Sequence, residues 1–363
     1  MAEIFVKKES INELDKELEL LLQKQGSRIK VVGCGGSGGN SVTRMKQTGI
    51  EGCELIVINT DAQDLLYSNA DSKILIGREL TRGLGAGSNP QIGEQAAKES
   101  EEEIKKKIGE VDMVFVTCGL GGGTGTGSAP IVAEIAKKRG ALTIGIVTLP
   151  FTVEGQKRIE NAKRGLEKMI SFTDTLIVIP NDKLLEIAPD IPMHMAFKVA
   201  DEILTNAVKG ITELVTKAGL VNLDFADLKA VMSNGGISLI GIGESNSNRD
   251  RAKEAVEKAI NNPLLDLDIT NASGALVNIM GGNDMTLEEY KTVMEAIGKK
   301  IAPDAKLISG AQISADLEKT IRVLLIVTGV KDSEIFGIST KTEKNEIEEL
   351  GEVQIDSLKI NDL

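Results

Sequence analysis

A chain of 363 residues, 41% hydrophobic and 26% charged, is long enough for two or three domains with cores of their own, which excludes disorder or a fibrous repeat as its main organisation. Its 42 Lys and Arg stand against 54 Asp and Glu, and a net charge of -12 argues against a general nucleic-acid or anionic-membrane surface, so any phosphate must be bound locally. Glycine is over-used, at 38 residues or about 10% against roughly 7% in ordinary proteins, whereas seven Phe, two Tyr and no Trp leave little for stacking on nucleic-acid bases.

Residues 1–27 are expected as an amphipathic helical extension, because Ile11, Leu14, Leu18 and Leu21 recur at helical spacing among charges. This mixed-charge pattern favours docking on the body over a partner-binding or membrane-surface arm. MAEIFVKKES lacks a signal-peptide apolar segment, and no apolar run reaches the roughly 18–20 residues that span a bilayer. Cys34, Cys53 and Cys118 lack metal-ligand spacing and read as reduced thiols. A cytoplasmic protein without direct membrane insertion is expected.

From Arg28 the runs IKVVGCG, ELIVINTD, KILIG, DMVFVTCG, ALTIGIVTLP and TLIVIPND alternate with helical stretches. This alternation predicts an α/β domain over 28–191 with a doubly wound parallel sheet, its functional residues at the carboxyl ends of the strands. A long central helix is predicted over 192–218, with Phe197, Ala200, Ile203, Leu204, Ala207, Val208 and Ile211 on one apolar face. Its lone histidine, His194, has no imidazole partner for Ser-His-Asp chemistry. Beyond it, GISLIGIG, ALVNIMG, AKLISGAQI and TIRVLLIVTGV alternate with helices at 249–261 and 286–301, giving a smaller α/β domain over 219–330. Residues 331–363 lose apolar periodicity and read as a flexible tail, ending in GEVQIDSLKINDL, either a docking peptide for an adaptor protein or an unbound end.

The chemistry is concentrated in three glycine loops. Gly33-Cys34-Gly35-Gly36-Ser37-Gly38-Gly39-Asn40 joins a strand to a helix, where glycines let phosphate approach backbone N–H groups at a helix start. Gly33, Gly35 and Gly38, with Asp61 ending the next strand, also match a nicotinamide-dinucleotide pattern, so an NAD-dependent oxidoreductase is one alternative. The run Gly119-Leu120-Gly121-Gly122-Gly123-Thr124-Gly125-Thr126-Gly127-Ser128 opens a second helix, with Pro130 suited to its first turn. Two phosphate-facing helix starts imply more charge than one pyrophosphate. A third loop, Gly83-Leu84-Gly85-Ala86-Gly87-Ser88-Asn89, is placed to close over a terminal phosphate through Ala86 and Gly87. A nucleoside triphosphate fits best. The Walker pattern is absent, so charge compensation is expected from helix dipoles, N–H groups and a metal ion.

Taken in order, GCGGSGGN, NTDAQ, RGLGAGSNP, GLGGGTGTGSAP and NLDFADL make the sequence similar, over roughly 28–330, to the FtsZ family of tubulin-like cell-division GTPases in its archaeal form. The resemblance implies a GTP-binding domain over 28–191, a central helix, a C-terminal activation domain over 219–330, and head-to-tail homopolymers that form the cytokinetic ring at mid-cell. It places the phosphate loop at Gly36, Ser37, Gly38, Gly39 and Asn40, where Ser37 departs from the all-glycine bacterial form, and the signature loop at Gly123, Thr124, Gly125, Thr126 and Gly127. Glu154 and Arg158 are implied near the ribose and phosphates, Asn181 and Asp201 at the guanine, and Phe197 against the base. GTP and GDP are the implied ligands, with Mg²⁺, and a membrane-anchoring adaptor is implied for the tail. Asn222, Asp224 and Asp227 are the implied catalytic residues, supplied by the neighbouring subunit. By spacing alone, Asp224 reads as a helix N-cap and Asp227 as a first-turn acid. A non-hydrolysing, nucleotide-switched scaffold is the second alternative.

Overall fold

The computed structural model of the protein describes residues 27–330 apart from 188–191, 218, 222, 266–268 and 270–271. The helix expected over 1–27, Ser27 excepted, the tail over 331–363 and Asn222 lie outside the described residues.

The apolar runs of the first half form β1 (Ile29–Cys34), β2 (Cys53–Asn59), β3 (Ser72–Leu75), β4 (Met113–Gly119), β5 (Leu142–Leu149) and β6 (Thr175–Pro180). All pair in parallel, in the order β3-β2-β1-β4-β5-β6. Strands covered by helices on both faces must be apolar throughout, and all eight residues of β5 are buried. The covering helices are α1 (Gly35–Gln47), α2 (Ala62–Tyr67), α3 (Arg78–Thr81), α4 (Pro90–Glu99), α5 (Glu101–Ile108), α6 (Thr124–Lys138), α7 (Gln156–Phe172) and α8 (Asn181–Ile187). Chain direction across the sheet reverses between β1 and β4, the place where a doubly wound sheet opens a crevice beyond its strand ends.

The sheet does not stop at β6. β7 (Gly236–Ser245) continues it in parallel through Thr175↔Gly236 to Ile177↔Ser238, followed by β10 (Ile321–Thr328), β8 (Gly274–Gly281) and β9 (Lys306–Ile313). Here β10 is antiparallel to both β7 and β8, while β8 and β9 are parallel. The central helix is α9 (Met193–Thr216), followed by α10 (Phe225–Met232), α11 (Arg251–Ile260) and α12 (Leu287–Gly298). Ala200, Leu204, Ala207, Val208, Ile211 and Leu214 of α9 join one apolar core with Met45 of α1, Leu276 of β8 and Leu324 of β10. Each buried leucine there is worth about 1.5–3 kcal/mol, so α9 is held along its length.

Cys34 and Cys118 are buried at the ends of β1 and β4, Cys53 is partly buried, and none forms a disulfide. Burial pushes the Cys34 and Cys53 thiols up to about 12 and Cys118 well above its ordinary value. At pH 8 a thiol with that acidity is ionised in roughly one molecule in 10⁴, and the thiolate is the reactive form. Titration of the native protein with Ellman's reagent is therefore expected to give no fast equivalent, and three after denaturation. A rapid native equivalent would contradict this burial.

Candidate nucleotide-binding site

Six of the helix starts show a division of labour. Asp61, Asn89 and Asp224 cap α2, α4 and α10 by accepting from backbone N–H groups, and Thr286 with Glu289 forms a capping box on α12. By contrast α1 and α6 have neither a side-chain cap nor an acid in the first turn, among the described residues. Their leading N–H groups lack intrahelical partners, and each end bears roughly half a unit of positive charge. Both ends face one cavity of about 770 Å³ at the carboxyl ends of β1, β2, β4 and β5.

The three glycine loops meet in this cavity. Gly36, Ser37 and Asn40 line it from α1, Gly123, Thr124 and Gly125 from the start of α6, and Ala86 and Gly87 from the third loop. Thr60 Oγ1 and Thr124 Oγ1 are 2.6 Å apart, Gly85 N donates to Thr60 O at 3.2 Å, and the Asn161 amide donates to both Ser88 O and Gly121 O at 3.2 Å. One buried amide thus fastens two loops that belong to different strands.

Gly35, Gly38, Gly39, Thr126 and Gly127 are not among the lining residues. They pack closely against neighbouring backbone and side chains. A Cβ on Gly38 would stand 2.6 Å from Thr117 O, and one on Gly127 2.1 Å from Pro90 O of α4. Thr126 Oγ1 accepts from Gly121 N at 2.9 Å, closing the turn on itself. Pro130, expected in the first turn, lies well inside α6, because the helix starts at Thr124. Burial makes helix of Gly125, Thr126, Gly127, Ser128 and Pro130, whose own helix propensities are poor.

Glu154, Arg158, Asn181, Phe197 and Asp201 also line the cavity. Arg158 is the sole cation among the lining residues, and it is ion-paired to Glu154, whose other oxygen accepts from Phe151 N at 2.9 Å. Phe197, 40% exposed, makes a T-shaped pair with Phe151, the ring centroids 5.4 Å apart. Asn181 is 5% exposed, and its Oδ1 has no hydrogen-bond partner among the described residues. A buried acceptor left unpaired costs about 1–3 kcal/mol, a penalty that a ligand donor would remove. Asp201 accepts from Ser41 Oγ at 2.6 Å. Burial lifts its carboxyl above the ordinary value, against the Ser41 hydrogen bond and the Arg44 charge.

Asn59, Asp64, Thr148, Pro150 and Ala200 also line the cavity and were missed in the sequence. The strand-end rule would have found Asn59, Thr148 and Pro150. Asp64 was findable only through its bond from Asn59 Nδ2, at 2.6 Å. Asp61 spends one carboxylate oxygen on the N–H groups of Gln63 and Asp64, an N-cap role that weakens the dinucleotide alternative. Asp224 and Asp227 are not in this cavity; Asp224 accepts from Asp227 N at 2.7 Å, as the capping reading expected.

A doubly wound sheet whose switch point presents two uncapped helix starts and no P-loop lysine defines a nucleotide-binding α/β protein of a non-Walker type. The family model for the GTPase domain of the Tubulin/FtsZ family matches residues 28–189, and that for the FtsZ family C-terminal domain matches 236–331. A relative named cell division protein FtsZ 1, from Methanocaldococcus jannaschii, is 58% identical over 95% of this chain and 96% of its own. One of the same name from Thermococcus kodakarensis is 59% identical over 92% and 88%. A structure described as an empty FtsZ dimer from M. jannaschii has a TM-score of 0.84 at 58% identity, covering 90% of this chain and 99% of that one. Haloferax volcanii CetZ2, at 22% identity and a TM-score of 0.73 over 85% and 94%, shares the fold. The chain belongs to the Tubulin/FtsZ family, among the FtsZ cell-division GTPases. GTP and GDP are the nucleotides that such a GTPase domain binds.

Proposed function

We propose that this chain stacks head to tail on copies of itself, and that GTP held in the cavity is cleaved only when the next copy brings Asp224 and Asp227 over it. One observation supports this above the rest. The cavity lies at the carboxyl ends of the strands, with Cys34, Asn59, Gly119 and Thr148 on its lining. Phe225 and Lys229 of α10 instead line a second, 320 Å³ cavity with Arg28, Asp112 and Gly140, which precede β1, β4 and β5. Strands of six to eight residues separate the two edges, roughly 20–26 Å at about 3.3 Å per residue. A carboxylate must come within about 3 Å of a water to orient it. The acids beside Phe225 therefore face away from their own chain's nucleotide.

In this reading the backbone N–H groups at the starts of α1 and α6 hold the triphosphate, with Ala86 and Gly87 beside the terminal phosphate. Gly35, Gly38, Gly39, Thr126 and Gly127 keep those turns in place from behind. Asn181 and Asp201 accept from guanine, and an aspartate suits its N1–H and exocyclic amine, which adenine does not offer together. Phe197 packs on the base, and Arg158, steered by Glu154, lies toward the ribose and phosphates. Asp224 and Asp227 of the next copy, with Asn222 two residues before Asp224 in the sequence, orient the water for in-line attack.

The donor set fits Mg²⁺ delivered with the nucleotide. Asp61 and Asp64 supply hard oxygen ligands on the lining, and Asp64 Oδ2 lies 3.1 Å from where a Cβ on Gly36 would stand, over the first turn of α1. Among the described residues no group of three His, Cys, Asp or Glu forms a closed cage, which suits an ion that keeps its waters and shares phosphate oxygens. When bound, the ion would offset charge developing on the phosphates.

We place this activity in the cytoplasm, at the mid-cell division ring. The division into a GTP-binding domain over 28–191, a central helix over 192–218 and an activation domain over 219–330 is likewise our reading, supported by the all-parallel strands of the first part and the mixed pairing of the last. The tail from 331 is proposed as the docking peptide for a membrane-anchoring adaptor. Among the described residues no helix is long and apolar enough to cross a membrane. The direct test is phosphate release per subunit measured across a protein dilution series alongside light scattering. Specific activity should rise steeply where scattering begins; a flat profile overturns hydrolysis between subunits.

A further inference from the structure

Ser41 lies in α1, one turn after Ser37 of the phosphate-facing end, and is fully buried. Its Oγ is 2.6 Å from Asp201 Oδ1 and 3.1 Å from Ser37 O. A hydroxyl has one proton and can donate to only one of them at a time. The shorter distance is that of a charge-assisted O–H···O⁻ bond, so the proton goes to the carboxylate. No other hydrogen bond to the Asp201 carboxylate is found among the described residues, and Arg44, the nearby cation on α1, acts on it through its charge. Asp201 follows Ala200 and lies one turn beyond Phe197, all three on the cavity wall. The orientation of the carboxylate in the nucleotide cavity therefore depends on one serine from a different helix.

We propose that Ser41 is a positioning residue for base selection: by donating to Asp201 Oδ1 it fixes the carboxylate toward the nucleobase and ties the base site to the phosphate-binding end of α1. The inference rests on the reading of Asp201 as the guanine acceptor. Alanine at 41 would leave a largely buried carboxylate without its donor and free to rotate, while the phosphate-facing N–H groups of α1 stay as they are. The loss should then appear in the choice among bases rather than in affinity for the triphosphate.

Equilibrium titrations with GTP, ITP and XTP, below the concentration at which scattering appears, separate these effects, since ITP lacks the exocyclic amine. Ser41→Ala is expected to shrink the preference for GTP over ITP about tenfold, the worth of one hydrogen bond to a charged group. Ser41→Thr, which keeps the hydroxyl, should retain the preference, and Ser41→Cys, a weaker donor, should fall between. Asp201→Asn tests the underlying reading separately and should abolish the preference for GTP over XTP. A GTP-to-ITP ratio within twofold of wild type in both Ser41→Ala and Ser41→Cys, with the Asp201→Asn change present, overturns the role of Ser41 alone. An unchanged base preference in Asp201→Asn overturns both readings. Melting curves on each variant confirm that folded protein is compared.

Discussion

Asp224→Asn is expected to bind GTP within about twofold of wild type and to release phosphate roughly 10²–10³-fold more slowly, the loss usual for removing a group that acts on the transition state. Asparagine is the informative replacement because Asp224 caps α10 through Asp227 N. Asparagine caps as well as aspartate, whereas alanine would add about 0.5–2 kcal/mol of helix destabilisation to the chemical effect. The proposed two-copy site gives this variant a second readout. Mixed with a variant whose own cavity cannot hold nucleotide, Asp224→Asn should regain turnover, because the partner's intact acids then serve the nucleotide that Asp224→Asn still binds. Continued silence of the mixture, with each variant shown to co-assemble, would rule out the exchange of acids between chains.

Gly127→Ala is expected to cost about 3 kcal/mol or more of stability and at least tenfold in GTP affinity. The added methyl would stand 2.1 Å from Pro90 O and 2.5 Å from Glu94 N, both backbone atoms of α4, so no rotamer relieves the overlap. The helices must separate. Asn89 caps α4 at the end of the third glycine loop, so displacement of α4 carries Ala86 and Gly87 away from the cavity. Gly298→Ala is the control: nothing stands within 4 Å of its Cβ position, and the change should be neutral or slightly stabilising. Thermal unfolding with and without GTP distinguishes the two outcomes.

The strands were legible because a parallel sheet buried on both faces writes itself as unbroken apolar runs, and α9 because its buried face repeats at helical spacing. The loops were legible as places but not as orientations. Thr126 and Thr124 are two residues apart in one motif, yet Thr124 faces the cavity and Thr126 turns back to Gly121 N, a distinction set by the start of α6. Asn161 is ordinary in sequence, and its partners Ser88 and Gly121 are 73 and 40 residues away. Asp201 was assigned through family likeness alone, since a carboxylate on a helix carries no local sign that Ser41, 160 residues earlier, will meet it. Contacts between distant segments, rather than weak local patterns, account for what was missed.

The placement of α10 at the strand starts and of the cavity at the strand ends makes each molecule a tile with two unlike edges. Such tiles joined edge to edge give an open row with a direction, not a closed pair. At one terminus of that row a cavity has no neighbour above it, and on the proposed sharing of one site between two copies its triphosphate would outlast those behind it. The age of a row would be recorded in its nucleotides from one end to the other.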